Sequence, residues 1–391
     1  MSEKTVIFLG AGATCADGGP ATSEILPQIL KDREAPPEAA SAVPDVAGRL
    51  IDLTSFLQEE FNVNSASPKE FFPALPLLMS LLDTALDRRQ SFLRRWNFNR
   101  VLRLRQQVEL GIFELLERVL SKAQTTTHYT LIDKMYPASV DPASSVEPCV
   151  ITTNYDLLID AAIMHLSLTR KPPDGGFPDY GCQIRTDFYR EKAGRFGILL
   201  KLHGSLNWLY CWTCRHLELG PSKATKFRVA LGRLAGAQLL ENAYKRGSRC
   251  PTCKTRLRPL LIAPTHLKDY RNPHLMQVWH EAERVLRDAS RVIFIGYSLP
   301  DDDVEVIYLL KRGLAHLTPD RITVVEKDDS QPSLAAHAVG RRYRTLFGDG
   351  LDWHPEGVGA WLPCAAALPS PSSAKASNRR RRNLRSGSVQ G

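Results

Sequence analysis

The chain has 391 residues, 43% of them hydrophobic and 24% charged, with a formal net charge of +9. That balance excludes a disordered or fibrous protein, and no stretch approaches the roughly 18 uninterrupted apolar residues that a membrane-spanning helix needs. The positive charge is local, lying in Arg88, Arg89, Arg94, Arg95, Arg100, Arg103 and Arg105, and again in Lys375, Arg379, Arg380, Arg381, Arg382 and Arg385. Acids outnumber bases elsewhere, which argues against a uniformly basic nucleic-acid binder.

In chain order, Thr5–Leu9 reads as a buried strand running into Gly10-Ala11-Gly12-Ala13-Thr14. Glycines interrupt its apolar run and Met1–Lys4 is weakly charged, so a secretory leader is not expected and the protein is placed in the cytoplasm. Residues 50–125 read as a helical insert, with one stripe at Leu75, Leu78, Leu82 and Leu86 and another at Val101, Leu104, Val108, Ile112, Leu115 and Val119. Trp96, Leu93, Val101 and Leu104 supply a core-facing set beside the arginines, which makes a solvated helix face the plainer reading of the basic cluster.

Cys149–Thr153 ends at Asn154-Tyr155-Asp156, and Ile198–Leu202 ends at His203-Gly204. Residues 208–258 carry four cysteines and little strand signal; Trp208, Tyr210 and Trp212 are expected to pack around that module. Val292–Ile295 ends at Gly296-Tyr297-Ser298, and Ile322–Val325 ends at Glu326. Runs apolar on both faces are what central parallel strands look like once helices cover both sides. The fold class expected is α/β, a Rossmann-like doubly wound parallel sheet over 1–364, with the helical insert and a small four-cysteine zinc-type module. Ligands in that architecture bind beyond the carboxyl ends of the strands, where all five runs place their polar or glycine residues. Residues 365–391, rich in Ser, Pro, Ala and Arg, are expected to be a disordered basic tail.

Each motif has a functional and a plain structural meaning. The turn at Gly10–Thr14 suits close approach to a phosphate at a helix N-terminus, or simply a tight turn. The third glycine of the dinucleotide fingerprint is replaced by Cys15, and the chain lacks the P-loop motif of an ATPase. Cys211-Trp-Thr-Cys214 and Cys250-Pro-Thr-Cys253 suit a tetrahedral, structural zinc site, against the alternative of free thiols or redox pairs. Cys15, Cys149, Cys182 and Cys364 lack such pairing. His203 alone could be a core histidine, and Asn154 and Asp156 could cap the following helix. Their convergence on one sheet edge beside two glycine turns points to a nucleotide site with its own chemistry.

Taken together, GAGAT, TTNYD, KLHGS, the paired CxxC, IGYSL and VVEKD, in that order over about 1–50 and 147–330, resemble the sirtuin-like family of NAD-consuming domains. The resemblance implies NAD across the strand ends, with Gly10, Ala11, Gly12 and Thr14 around the pyrophosphate, Gly296 and Ser298 near the phosphates and ribose, and Glu326 near the adenosine end. It implies catalytic roles for Asn154 at the nicotinamide ribose, Asp156 near the carboxamide and His203 as general base.

Departures from the deacylating pattern are specific. Gly18-Gly19-Pro20-Ala21-Thr22-Ser23 stands where those enzymes have Gly-Ile-Pro-Asp-Phe-Arg, Ile262-Ala263-Pro264-Thr265 replaces their phenylalanine-glycine-glutamate, and Tyr155 replaces isoleucine. The sequence is in this respect similar to the divergent bacterial branch that hydrolyses NAD in anti-phage defence. The expected activity is therefore an NAD glycohydrolase releasing nicotinamide and ADP-ribose. Alternatives are an NAD-dependent protein-lysine deacylase and a non-catalytic sensor that binds NAD or nucleic acid. Such an activity needs control, so a homo-oligomer and a regulatory partner such as a HerA-like ATPase are expected, with the helical insert as contact surface and nucleic acid a further ligand for the basic segments.

Overall fold

A computed structural model describes residues 4–31, 51–92, 95–120, 127–136, 147–170, 177–185, 196–219, 249–255, 257–262, 272–327 and 333–365. The basic tail beyond 365 lies outside the described residues. In chain order the described strands are β1 (Thr5–Leu9), β2 (Cys149–Thr152), β3 (Ile198–Lys201), β4 (Gly204–Tyr210), β5 (Leu217–Leu219), β6 (Arg258–Leu261), β7 (Arg291–Ile295), β8 (Ile322–Val325) and β9 (Asp352–His354). The helices are α1 (Ala11–Cys15), α2 (Thr22–Lys31), α3 (Ile51–Phe61), α4 (Leu75–Asp87), α5 (Phe98–Leu120), α6 (Thr127–Met135), α7 (Leu158–Arg170), α8 (Pro273–Arg287), α9 (Val304–Gly313), α10 (Ala338–Phe347) and α11 (Gly357–Trp361).

Six strands form one parallel sheet in the order β3-β2-β1-β7-β8-β9. The chain runs outward from β1 to β3, returns to the centre at β7 and runs outward the other way. The strand order therefore reverses between β1 and β7, the topological switch point where doubly wound sheets open a crevice. Register sets all the strand ends level: Leu9 pairs with Ile295 and Thr152, Thr152 with Lys201, and Ile295 with Val325. Gly10, Asn154, His203, Gly296 and Glu326 consequently leave the sheet along one edge. All residues of β1, β2 and β8 are buried, as two-sided helix cover requires.

The insert has a core of its own. Leu75, Leu78, Leu82, Val101, Leu104, Val108, Ile112, Leu115 and Trp96 are buried together with Leu26, Ile29 and Leu30 of α2, while Leu86 and Val119 are partly buried against them. Leu93 lies outside the described residues. Tyr155 and Leu158 pack on the same cluster, so the insert abuts the loop after β2.

The cysteine region differs from expectation in two ways. Strands β5-β4-β6 form an antiparallel sheet where the sequence carries little strand signal. Every residue of β4 is buried, Ser205 and Asn207 included, so its short Ser205–Trp208 alternation marks no solvent-facing side. Trp208 and Tyr210 pack into the main core rather than around the cysteines, and Leu209, on the opposite face of β4, meets Cys211, Cys250 and Leu257 instead. Trp212 is 61% exposed, edge-on to Tyr210.

Candidate functional site

At the switch point two glycine turns interlock. Gly10 N–H donates to the Ile295 carbonyl (3.0 Å) and Gly12 N–H to the Gly296 carbonyl (2.8 Å). A Cβ on Gly10 would lie 2.5 Å from the Tyr297 Cα, and one on Gly12 2.7 Å from the Gly296 Cα. Gly296 has φ +61 and would bring a Cβ to 2.3 Å from the Ala13 nitrogen. Backbone-to-backbone approach thus accounts for all three glycines, and it commits the Gly12 N–H to the protein. Ala11, exposed at the start of α1, begins the helix whose N-terminus faces this edge.

Beside this interlock, Asn154 donates both amide hydrogens inward, to the Gly10 carbonyl and to Thr14 Oγ1 (2.9 Å each). The Thr14 hydroxyl in turn donates to Asp156 Oδ2 (2.6 Å). Asp156 Oδ1 accepts from the Leu158 N–H at the start of α7 (3.0 Å), so the capping role read from sequence is present as well. These two donated bonds fix the orientation of the Asn154 amide and leave its Oδ1 acceptor as the group it can offer a ligand. Buried beneath the loop, Lys201 donates to the Asp156 carbonyl (2.5 Å) and to Asp160 Oδ2 (2.8 Å), and Tyr180 donates to Asp160 Oδ1 (2.6 Å).

His203 stands at the corner where the chain leaves the main sheet. Gly204, at φ +81, makes the turn into β4 that a side-chain-bearing residue rarely adopts. The histidine is 7% exposed, with its ring 6.4 Å from that of Tyr155. Its Nε2 lies 3.7 Å from Asp303 Oδ1, and the Tyr297 hydroxyl donates to Asp303 Oδ2 (2.8 Å). The Tyr155 hydroxyl donates to the Ile262 carbonyl (2.8 Å), while the Ile262 N–H donates to the His203 carbonyl (2.9 Å), tying the ends of β2, β3 and β6 together. Burial, with the Asp303 charge adding, holds the Tyr155 phenol well above its usual range.

Ser298 is exposed past β7 and its carbonyl accepts two bonds from the Arg342 guanidinium (2.9 and 2.7 Å). Glu326 N–H donates to the His354 carbonyl (2.9 Å). Burial, Glu24 and then Glu326 raise the Cys15 thiol, which sets Glu326 within electrostatic reach of α1. Asp303 and Tyr297 are site residues that the sequence does not single out. Asp303 is the third of Asp301-Asp302-Asp303, and its burial, the one signal that separates it, is visible only in the fold.

Away from this edge, Cys211, Cys214, Cys250 and Cys253 place their sulfurs within 4.8 Å of one another. The Cys211–Cys253 and Cys214–Cys250 sulfurs are 3.3 and 3.4 Å apart, too far for disulfides. A tetrahedral ion with bonds of about 2.3 Å to sulfur holds thiolates about 3.8 Å apart, so the donor set fits. The two CxxC turns match: Arg215 N–H donates to the Cys211 carbonyl and Lys254 N–H to the Cys250 carbonyl, with both residues at positive φ (62 and 63). Hydrogen bonds from Thr255 bring the Cys253 thiol down to about 6.

The arginine cluster of 88–105 is partly neutralised in space. Arg95 pairs with Glu59, Arg100 and Arg103 with Asp52, and Arg105 with Asp83 and Glu109. Arg94 lies outside the described residues, and Arg88 and Arg89 are exposed.

No protein-family model matches the chain, and no curated protein sequence does. Among solved structures, one described under the structural basis for the mechanism and regulation of Sir2 enzymes is 14% identical, with 93% of this chain and 91% of that chain covered and a TM-score of 0.39. A Sir2 homolog–NAD complex is 14% identical, covering 92% and 87%, with a TM-score of 0.37. Sir2 bound to acetylated peptide is 12% identical, covering 93% and 92%, with a TM-score of 0.41. Such scores are too low for a shared function to be drawn from them. No helix among the described residues is long and apolar enough to cross a membrane.

Proposed function

We propose that the protein is a sirtuin-like NAD glycohydrolase, cleaving NAD with water to nicotinamide and ADP-ribose. The observation that carries this reading is the linked set Asn154–Thr14–Asp156, bonded to the glycine turn at the switch point with His203 on the adjacent strand end. A dinucleotide lying across this edge has its pyrophosphate at α1 and its nicotinamide ribose towards Asn154 and His203. When the C–N glycosidic bond breaks, its electron pair returns to the pyridinium nitrogen, so nicotinamide leaves neutral and the ribose carries the developing positive charge. Water then bonds to that carbon and gives up a proton. His203 is suited to manage that proton, or that of a ribose hydroxyl. Asn154 and Asp156, fixed through Thr14, orient the ribose and the carboxamide, and orientation is the main demand because nicotinamide is already a good leaving group. The four-cysteine cluster, as a closed zinc site of four thiolates, has a structural role.

Tyr155 supports hydrolysis over deacylation. Its phenol bridges the Asn154 loop to the end of β6, where a deacylase must admit an acyl-lysine chain. The exposed apolar residues Phe71 (69%), Leu77 (45%) and Phe98 (40%) on the insert support its role as the surface for self-association or for a HerA-like regulatory partner in defence.

The test is incubation of the purified chain with NAD, following nicotinamide and ADP-ribose. Asn154→Ala and His203→Ala are each expected to lower turnover by at least about a hundredfold. Equal activity in wild type and both variants overturns the assignment. Product formed only with an acetylated peptide, as O-acyl-ADP-ribose, makes the protein a deacylase instead.

A further inference from the structure

Asp303 opens α9 at the N-cap position, where an aspartate ordinarily accepts a hydrogen bond from the first turn. Here its side chain makes no cap bond. Unlike exposed Asp301 and half-buried Asp302, it is 3% exposed. A carboxylate so buried is costly unless other groups compensate it. Two groups reach it from other directions: the Tyr297 hydroxyl donates to Oδ2 (2.8 Å), and His203 Nε2 faces Oδ1 at 3.7 Å.

The loop that delivers Asp303 is built to hold it there. Gly296 (φ +61) and the buried Leu299 (φ +49) both take left-handed backbone between β7 and α9. For a leucine that conformation persists only where the surroundings over-determine it. Tyr297 is fixed at both ends, with its carbonyl accepting from the Tyr343 hydroxyl (2.8 Å) and its Cα against Gly10.

We propose that Asp303 is a positioning residue for His203. Its carboxylate, held by Tyr297, sets the orientation of the imidazole and stabilises the positive charge that the ring acquires on taking a proton. The histidine's role as a base rests on the NAD reading; the charge coupling between the two side chains does not. Around the ring, Asp303 comes from the start of α9 and the neutral Tyr155 phenol from the loop after β2. Arg105 and Glu109 of α5, paired with each other, act on Tyr155. Of these groups, Asp303 is the carboxylate that faces the ring, at 3.7 Å.

The experiment is titration of the His203 ring by NMR in protein carrying labelled histidine, with the signal assigned from His203→Ala, alongside steady-state kinetics over pH. A nearby carboxylate favours imidazolium, so Asp303→Asn is expected to lower the His203 pKa by about one pH unit. It is also expected to lower kcat about tenfold or more, with KM for NAD held within about twofold, and to move the acidic limb of the kcat profile to lower pH. Asp303→Glu restores part of kcat. Tyr297→Phe leaves the carboxylate charge less compensated and is expected to raise the His203 pKa by roughly half a unit, the opposite sign. A His203 titration unchanged in Asp303→Asn, or moved downward in Tyr297→Phe, overturns the proposal. If the titrations move as stated but the wild type leaves NAD intact, the positioning stands and the NAD reading falls.

Discussion

Lys201 is the last residue of β3 and has no exposed side-chain surface, and nor has its partner Asp160 on α7. The ammonium donates to the Asp160 carboxylate and to the carbonyl of Asp156, so one buried charge holds both a helix and the loop that carries Asn154. Lys201→Met keeps much of the stem volume but leaves Asp160 relying on the Tyr180 hydroxyl and strips the Asp156 carbonyl of the ammonium donor. Removing one partner of a buried pair costs about 3–5 kcal/mol, because the other charge stays behind uncompensated. At about 1.2 °C per kcal/mol for a chain of 391 residues, the midpoint of thermal unfolding should fall by about 4–6 °C. Lys201→Met combined with Asp160→Leu removes both charges and should recover most of that loss, since an apolar replacement of a buried pair is often neutral. Thermal and urea unfolding of the three proteins measure both quantities. A single variant that loses less than about 1 kcal/mol, or a double variant no more stable than the single, refutes the reasoning.

Gly296→Ala should cost at least about 2 kcal/mol, about 1–2 from the left-handed backbone and the rest from displacing Ala13, and should abolish NAD binding by calorimetry; Gly359→Ala, which meets open space, is the neutral control. Cys250→Ser should lose bound zinc measured by elemental analysis, and a chelator should lower the unfolding midpoint of the wild type only; a zinc-free wild type of unchanged stability refutes the four-thiolate site. Asp17 and His128 form a pair whose side chains are 3% and 2% exposed. Burial raises the Asp17 pKa, but the hydrogen bond and charge of His128, with Thr127, outweigh it, so the net shift is downward. A lowered carboxylate pKa gives stability that is fully present above the unfolded value near 3.9 and lost as pH falls through the folded value. Asp17→Asn should therefore be less stable than wild type at pH 6, with the gap closing below about pH 4; a gap independent of pH refutes the coupling.

What the sequence determined by itself is local. Five runs apolar on both faces became parallel strands of one sheet, since two-sided burial demands unbroken apolar residues whatever the neighbours are. The stripes at Leu75–Leu86 and Val101–Val119 became helices, and each CxxC pair became a tight turn, because spacing alone sets those geometries; the pairing of β4 with β6 then brought the two turns within reach of one ion. What the tertiary structure decided depends on partners far away in the chain. The order β3-β2-β1-β7-β8-β9 puts the switch point between β1 and β7, and so explains Gly10 and Gly12 through Gly296, nearly three hundred residues on. Strand β4 buries its polar Ser205 and Asn207 along with its apolar residues, and its pairing with β5 and β6 is settled only by the fold. Four of the arginines, read from sequence as a solvated helix face with phosphate contact as the alternative, find their partners Glu59, Asp52, Asp83 and Glu109 only in three dimensions. Asp303 reads as one acid in a row of three until the turn at Gly296 and Leu299 carries it to His203. Charge and hydrogen bonding act through space, so the partner of a buried polar group is settled only when the fold brings it there.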